Sequence, residues 1–532
     1  MGIAYEGLGE NRNAREAYES AYRLPAFRAA AGLHLGELSA REGNLGKAES
    51  YLQEARRVGA LDDLRTAEES TAVLRAEGKT SQAANLAQEW LARFPQRYFL
   101  LEEVQKPDLR HLADDVERVL NIAAEYMRMG LYSRALEVLS RNYPAAVADE
   151  TEPGSLPPPQ HPMVAYFRGY CREKVGQSGA ADFNAASKLS TAYVFPSRAE
   201  DIKVLSAALR TNPQDASAHY LLGTLYFSRG LTDLALDHWA QARKFNPQIP
   251  VLHASMGRAL LHVKNNPEQA LTVFQEGLQS DPVNVELYTG LDQTLSILGR
   301  PARERVAALE RYPDRSNMPS HLVYELILNL AEAGDYDGAA SLFRNRFFQR
   351  EEGGTNVRQV WIEVQLQRAL SLAQHGQCSD AISIADHLGT EVPDLPFTRD
   401  GLEPLLRSAR ISYLLGTLYQ SCKQADKAQA SFKQAAEQTN LEDAVWAWNA
   451  AKDLPGFEQD SGRQKLEFIL QRTRSTSEIS SRTGWWLYNT AMLDRAVGRS
   501  EQAEAEFRSA LLFPDQMLTY HLTRLALAND TP

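Results

Sequence analysis

Histidine and cysteine are the side chains of this 532-residue chain best suited to metal or nucleophilic chemistry, and their spacing decides what they can do. No His-Glu-x-x-His and no paired Cys-His spacing occurs, so no zinc-type ligand set is written in the chain. His219, His253 and His262 fall in adjacent segments, and His219 and His253 occupy equivalent positions 34 residues apart. Stacking of those segments would bring the two together, still short of a third ligand and the outer groups that orient one. Their expected role is packing or groove lining. Cys171, Cys378 and Cys422 are far apart, which implies neither a disulfide framework nor a metal site, and they read as small buried hydrophobes. Asp114 with Asp115 and Glu351 with Glu352 are neighbours that point in different directions, so neither pair opposes an acid to a base. Gly353 and Gly354 lack the Lys-Ser/Thr of a phosphate loop and read as a turn. Without a nucleophile, base and orienting group, the chain is expected to be no enzyme, with no cofactor and no metal.

Bulk properties narrow the class further. The net charge of −11 disfavours nucleic acid, which needs a basic stripe. The apolar stretch 322–330 is broken by Glu325, and no stretch is long enough for a membrane span. Composition is that of an ordered soluble protein, with 44% hydrophobic and 23% charged residues. No signal peptide is visible after Met1, and Glu6 stands where myristoylation wants Ser or Thr. The default location is cytoplasmic.

The elements that would position any site are read from a recurring pattern. Pro213, Pro247 and Pro282 lie 34 and 35 residues apart. Between the first two run Leu222, Gly223, Tyr226, Gly230, Ala235, Trp239 and Ala242. Gly marks the turn of a helical hairpin and Ala the place where its helices approach. By those markers hairpins recur along the whole chain, about twelve or thirteen in all. The heptapeptide 413–419 repeats 220–226 letter for letter, both Tyr-Leu-Leu-Gly-Thr-Leu-Tyr. The pattern resembles the tetratricopeptide repeat, which implies an all-α, right-handed superhelical solenoid of stacked hairpins.

Five segments follow: N-terminal repeats 1–144, a proline-rich loop 145–162, central repeats 163–347, a Gly-Gly turn 348–356, and C-terminal repeats 357–532 with a closing helix at 515–528. A third long connection spans 388–405. Gly2, Tyr5, Gly9 and Ala14 enter the motif part-way, so the chain is expected to be a piece of a longer protein, and an export signal would be lost with the missing part. The runs 162–166, 195–198, 215–223 and 344–354 also resemble large bacterial proteins of unknown function. In those an N-terminal β-rich domain similar to galactose mutarotase precedes the array.

A tetratricopeptide array implies an interaction scaffold that holds a protein, a peptide or its own N-terminal domain in a concave groove. The β-rich resemblance implies the alternative of an accessory region in a carbohydrate-active protein. In the motif's register the first helix of each hairpin lines the groove. The expected groove residues are Tyr166, Tyr170, Tyr220, Thr224, Phe227, Arg258, His262, Tyr413, Thr417 and Gln420, a mix of apolar area and hydrogen-bonding groups. Trp446, Trp448, Trp485 and Trp486 are expected to pack in the last helices.

Overall fold

The computed structural model describes residues 1–60, 63–144, 156–344, 346, 348, 357–390, 405–476, 483–513 and 517–528. All regular structure among them is helical. Most of the predicted loops at 145–162 and 388–405, and the 348–356 turn except Phe348, lie outside the described residues.

The helices pair as expected. Ala216–Ser228 packs on Thr232–Phe245, Arg28–Arg41 on Leu45–Val58, Ala409–Ser421 on Ala425–Ala436, and Gly484–Ala496 on Ser500–Ala510. In the first, third and fourth pairs small residues meet an aromatic ring, and in the second Gly36 meets Leu52. Ala235, Trp239 and Ala242 are buried in the first of these, and Ala428, Phe432 and Ala435 in the third. Gly230 turns the hairpin with φ +74°, a conformation costly for other residues. The equivalent turn after Ala409–Ser421 uses Lys423 at φ +58°, which explains why a search by glycine alone misses it. Helix Thr232–Phe245 closes at Asn246 ahead of Pro247, and Pro267–Ser280 at Asp281 ahead of Pro282. Proline cannot continue the helix; after Pro213 Asp215 caps Ala216–Ser228, and after Pro282 Asn284 caps Val285–Ile297.

The chain divides into two compact units, Met1–Leu252 and His253–Pro532. The first unit's core is seen around Leu35, Leu38, Ala83 and Trp90. The second holds a cluster from Tyr288 to Val364 that also takes in Met517, and another from Ile362 to Ala526.

The cysteine expectation is corrected here. Cys378 and Cys422 form a disulfide that ties helix Cys378–Asp386 to the end of helix Ala409–Ser421. Adjacent hairpins bring together residues 44 apart, a proximity that linear spacing conceals. Cys171 is a buried thiol, pushed up to about 12 by burial.

Two outcomes are expected. A Cβ added at Gly223 would lie 2.6 Å from Trp239 Cδ1 and 3.0 Å from the Ala235 carbonyl. Gly223→Leu should therefore cost about 1–3 kcal/mol or more, read as a lowered melting transition. Reducing the disulfide should release a loop-closure term of about 4 kcal/mol. Mass spectrometry without reductant should show the bond, and thiol treatment should lower only the second unit's unfolding midpoint.

Candidate functional site

The duplicated tyrosines do not face an open groove. Tyr166 is fully buried, and its hydroxyl donates to both carboxylate oxygens of Asp215 at 3.0 Å. Burial and the adjacent carboxylate hold that phenol far above its ordinary range. Asp215 also caps helix Ala216–Ser228, so the pair locks one hairpin to the next. Tyr170 is buried edge-on to Tyr132 at 6.1 Å. Tyr220 is only 4% exposed, and its carbonyl accepts from Trp239 Nε1 at 3.2 Å. Tyr413, half-buried, packs against Phe432 and Trp446. Thr224 and Thr417 donate back to the carbonyls of Tyr220 and Tyr413 at 2.9 and 3.1 Å, ordinary helix-internal bonds. The physical reason for the correction is size: a ring beside the small-residue seam is drawn into the inter-helix contact. Phe227 and Gln420 remain exposed on their helices, and Phe227 leans on Trp239 at 5.3 Å.

The histidine expectation also changes. His219 Nδ1 lies 2.9 Å from His238 Nδ1 of its own hairpin, and His253 is buried in the second unit. Trp446 and Trp486 are buried, Trp448 is half-buried, and Trp485 is 41% exposed. In the first unit Glu6, His34 and Glu37 bring three potential ligand atoms within 4.8 Å. Arg41 and Arg65 pair with those same carboxylates, so the cluster is an ion-pair network.

The most developed polar site lies in the second unit, on the face made by the first helices of successive hairpins. Helix Met517–Leu527 and residues 511–513 lie against that face. A π turn at Ala259–Val263 widens the helix that begins at Leu252, and within it His262 Nδ1 meets the Leu512 carbonyl at 2.7 Å. Gln293 donates to the Leu511 carbonyl at 3.0 Å and to the Tyr520 hydroxyl at 2.9 Å. Deeper in, His521 is wholly buried between two carboxylates, with Nδ1 2.8 Å from Glu332 and Nε2 3.3 Å from Glu363. Arg524 donates to Glu332 at 2.7 and 2.9 Å. Arg305, 1% exposed, grips Asp292 through two 3.0 Å bonds and reaches Glu332 at 2.9 Å. Asn329 donates to Asp292 at 2.7 Å. Arg410 holds Glu363 at 2.6 and 2.8 Å. Arg258 pairs at the exposed edge with Glu286.

Ionised carboxylates only accept, so a ring with a carboxylate on each nitrogen must donate from both, which requires imidazolium. Burial would lower the basicity of His521, but the bonds and charges of Glu332 and Glu363 override it and raise it above the ordinary 6.5. Burial likewise opposes ionisation of Glu332 and Glu363. The guanidinium groups of Arg524 and Arg305 on Glu332, and of Arg410 on Glu363, outweigh it and hold both carboxyls below the usual range.

Arg258 and His262 were expected at the groove, but the buried groups around His521 were not singled out from the sequence. Its partners Glu332 and Glu363 are 189 and 158 residues away, and Arg524 is 192 from Glu332. The available signal was a polar or charged residue on otherwise apolar helices, namely Asp292, Asn329 and Glu363.

The fold and its geometry agree with the comparisons. A family model described as the tetratricopeptide repeat matches residues 1–62 and 202–248, and a second of the same description matches 409–439. The chain contains tetratricopeptide repeats. Solved structures give low-identity helical matches. "Crystal structure of MamA" shares 19% identity at TM-score 0.17, over 40% of this chain and 94% of that one. "Crystal structure of APC/C hetero-tetramer Cut9-Hcn1" shares 12% at 0.23, over 93% and 88%. "Crystal Structure of P58(IPK) TPR Domain" shares 13% at 0.21, over 85% and 100%. Scores this low carry no argument about this chain's arrangement. The tetratricopeptide assignment rests on the matched segments and the hairpins themselves. No described helix is long and apolar enough to cross a membrane.

The site generates a pH prediction. A group whose basicity is raised by folding contributes stability in full below its unfolded value, and that stability is lost as pH rises through the folded value. The charged and titratable groups facing His521 are Glu332 and Glu363, with Arg524, Arg305, Arg410, Asp292 and Tyr488 behind them. Protection of helix Met517–Leu527 in hydrogen exchange should therefore fall as pH rises above the ordinary imidazole value of 6.5. His521→Gln should flatten that dependence, and an unchanged slope would mean the imidazole stays neutral.

Proposed function

We propose that the chain is a non-catalytic interaction scaffold that holds protein or peptide partners on the first-helix faces of its repeats. The observation that supports this most directly is that one such face, in the second unit, already holds a helix through side-chain hydrogen bonds and ion pairs. Tetratricopeptide repeats stack into surfaces of this kind, and stacked hairpins supply contact area without a closed catalytic cleft. An N-terminal β-rich domain of the same protein, expected from the resemblance, is one partner such a surface would serve. The disulfide favours action in an oxidising compartment.

The test places a photo-crosslinking residue in the intact chain at Phe227 or Gln420, both on first helices, and as a control at exposed Lys433 on a second helix. Partner cross-links should form from the first-helix positions and not from Lys433. Capture only from Lys433, or turnover of a substrate abolished by a point change, would overturn the reading.

A further inference from the structure

We infer that the first-helix face of the second unit is a receptor for an amphipathic protein helix bearing a basic pair one turn apart, and that Met517–Leu527 is its resident, displaceable occupant. The inference rests on the scaffold reading above and names the chemistry of the partner.

The first argument is the kind of contact. Within a hairpin the two helices meet through small residues against an apolar side chain, as Gly416 does against Phe432. The terminal helix buries Met517 and Ala526 in the apolar clusters, but it also sets Thr519, His521 and Thr523 toward the face, while Leu518, Leu522 and Leu525 are only half-buried. A polar, charge-assisted contact is the chemistry of recognition between separable pieces more than that of a permanent core.

Charge is the second argument. With the helix lifted away, the cations paired with Asp292, Glu332 and Glu363 among the described residues are the two guanidinium groups of Arg305 and Arg410. Glu325, also buried there, is held against His321. The face is thus left short of positive charge in a dry setting, and His521 with Arg524 supplies it. Their spacing of three residues puts both cations on one side of a helix. A partner helix with His, Arg or Lys at that spacing meets the same two carboxylates, whereas an acidic helix is repelled.

The third argument concerns fit and hold. The resident helix has 11 residues, a length that is marginal as a helix on its own. Beside Arg524 a cleft of about 650 Å³, lined by Asn265, Ser296, Arg300, Arg508 and Leu527, remains unfilled. A longer or bulkier helix has room that the resident does not use.

The probe is a fluorescently labelled peptide with the sequence of residues 513–528, added to the intact chain and followed by anisotropy. The wild-type chain should bind it weakly, because the tethered resident competes at an effective concentration near millimolar. The chain carrying His521→Gln with Arg524→Gln should bind the unaltered peptide about tenfold or more tightly than wild type does, since its own occupant is weakened. A peptide with Arg524→Gln should lose that gain. Absence of binding to a double variant whose circular dichroism melt is retained would overturn the proposal. If that variant fails to fold, the wild-type chain decides. Excess peptide must then speed hydrogen exchange within 517–527 more than the Arg524→Gln peptide does, and equal exchange overturns the inference. Loss of peptide binding with first-helix cross-linking intact would remove this receptor and leave the scaffold standing. Loss of both would remove both.

Discussion

The closeness with which paired helices approach is the constraint on which everything else depends. Gly223 meets Trp239, Gly257 meets Phe274, and Gly416 meets Phe432 at distances that leave no space for a methyl group. The glycine lets one backbone sit on the flat of the partner's ring, and the ring is then fully buried in the hairpin. A hairpin packed this way still has one apolar face uncovered, so it is stable only with a neighbour. Stacking is the consequence, and the duplicated heptapeptide is its imprint.

With the apolar requirement met along the seams, junctions between hairpins are free to be polar, and arginine fills them. In the first unit Arg65 pairs with Glu37, Arg97 with Glu68, Arg75 with Glu103 and Arg141 with Glu102. Each pair joins residues 28 to 39 apart, about one repeat. A planar guanidinium matches a carboxylate through two parallel bonds, which lysine cannot do. Burying such pairs costs much of what their attraction returns, so their contribution is better read as register than as strength. That Tyr166 joins Asp215 in the same role explains why the tyrosines left the groove.

The hairpins were legible because their signals are local. Proline after a helix, glycine at a turn and alanine at a seam each act within a few residues, and the closing helix expected at 515–528 is observed at Met517–Leu527. The face that each tyrosine takes was not legible, since it depends on which ring the adjacent hairpin presents. The disulfide and the carboxylates around His521 were hidden for a related reason: the cysteines meet only when adjacent hairpins stack, and the carboxylates meet His521 only after several have. His521 is an ordinary residue in the sequence and becomes exceptional only between Glu332 and Glu363.

The second unit also departs from what a repeat array alone would do. In a plain solenoid each hairpin touches its neighbours, and stability approximates a sum of nearest-neighbour terms. Here His262 reaches Leu512, Gln293 reaches Tyr520, and Glu332 reaches Arg524, across separations of 250, 227 and 192 residues. Those contacts tie the early hairpins to the last ones, so fraying from either end must first break a shared polar network. The second unit should therefore open more cooperatively than its repeats would separately, and only while the terminal helix is in place. Occupancy of the face thus governs the rigidity of the unit that presents it, which couples what the surface holds to how firmly the hairpins beneath it are held.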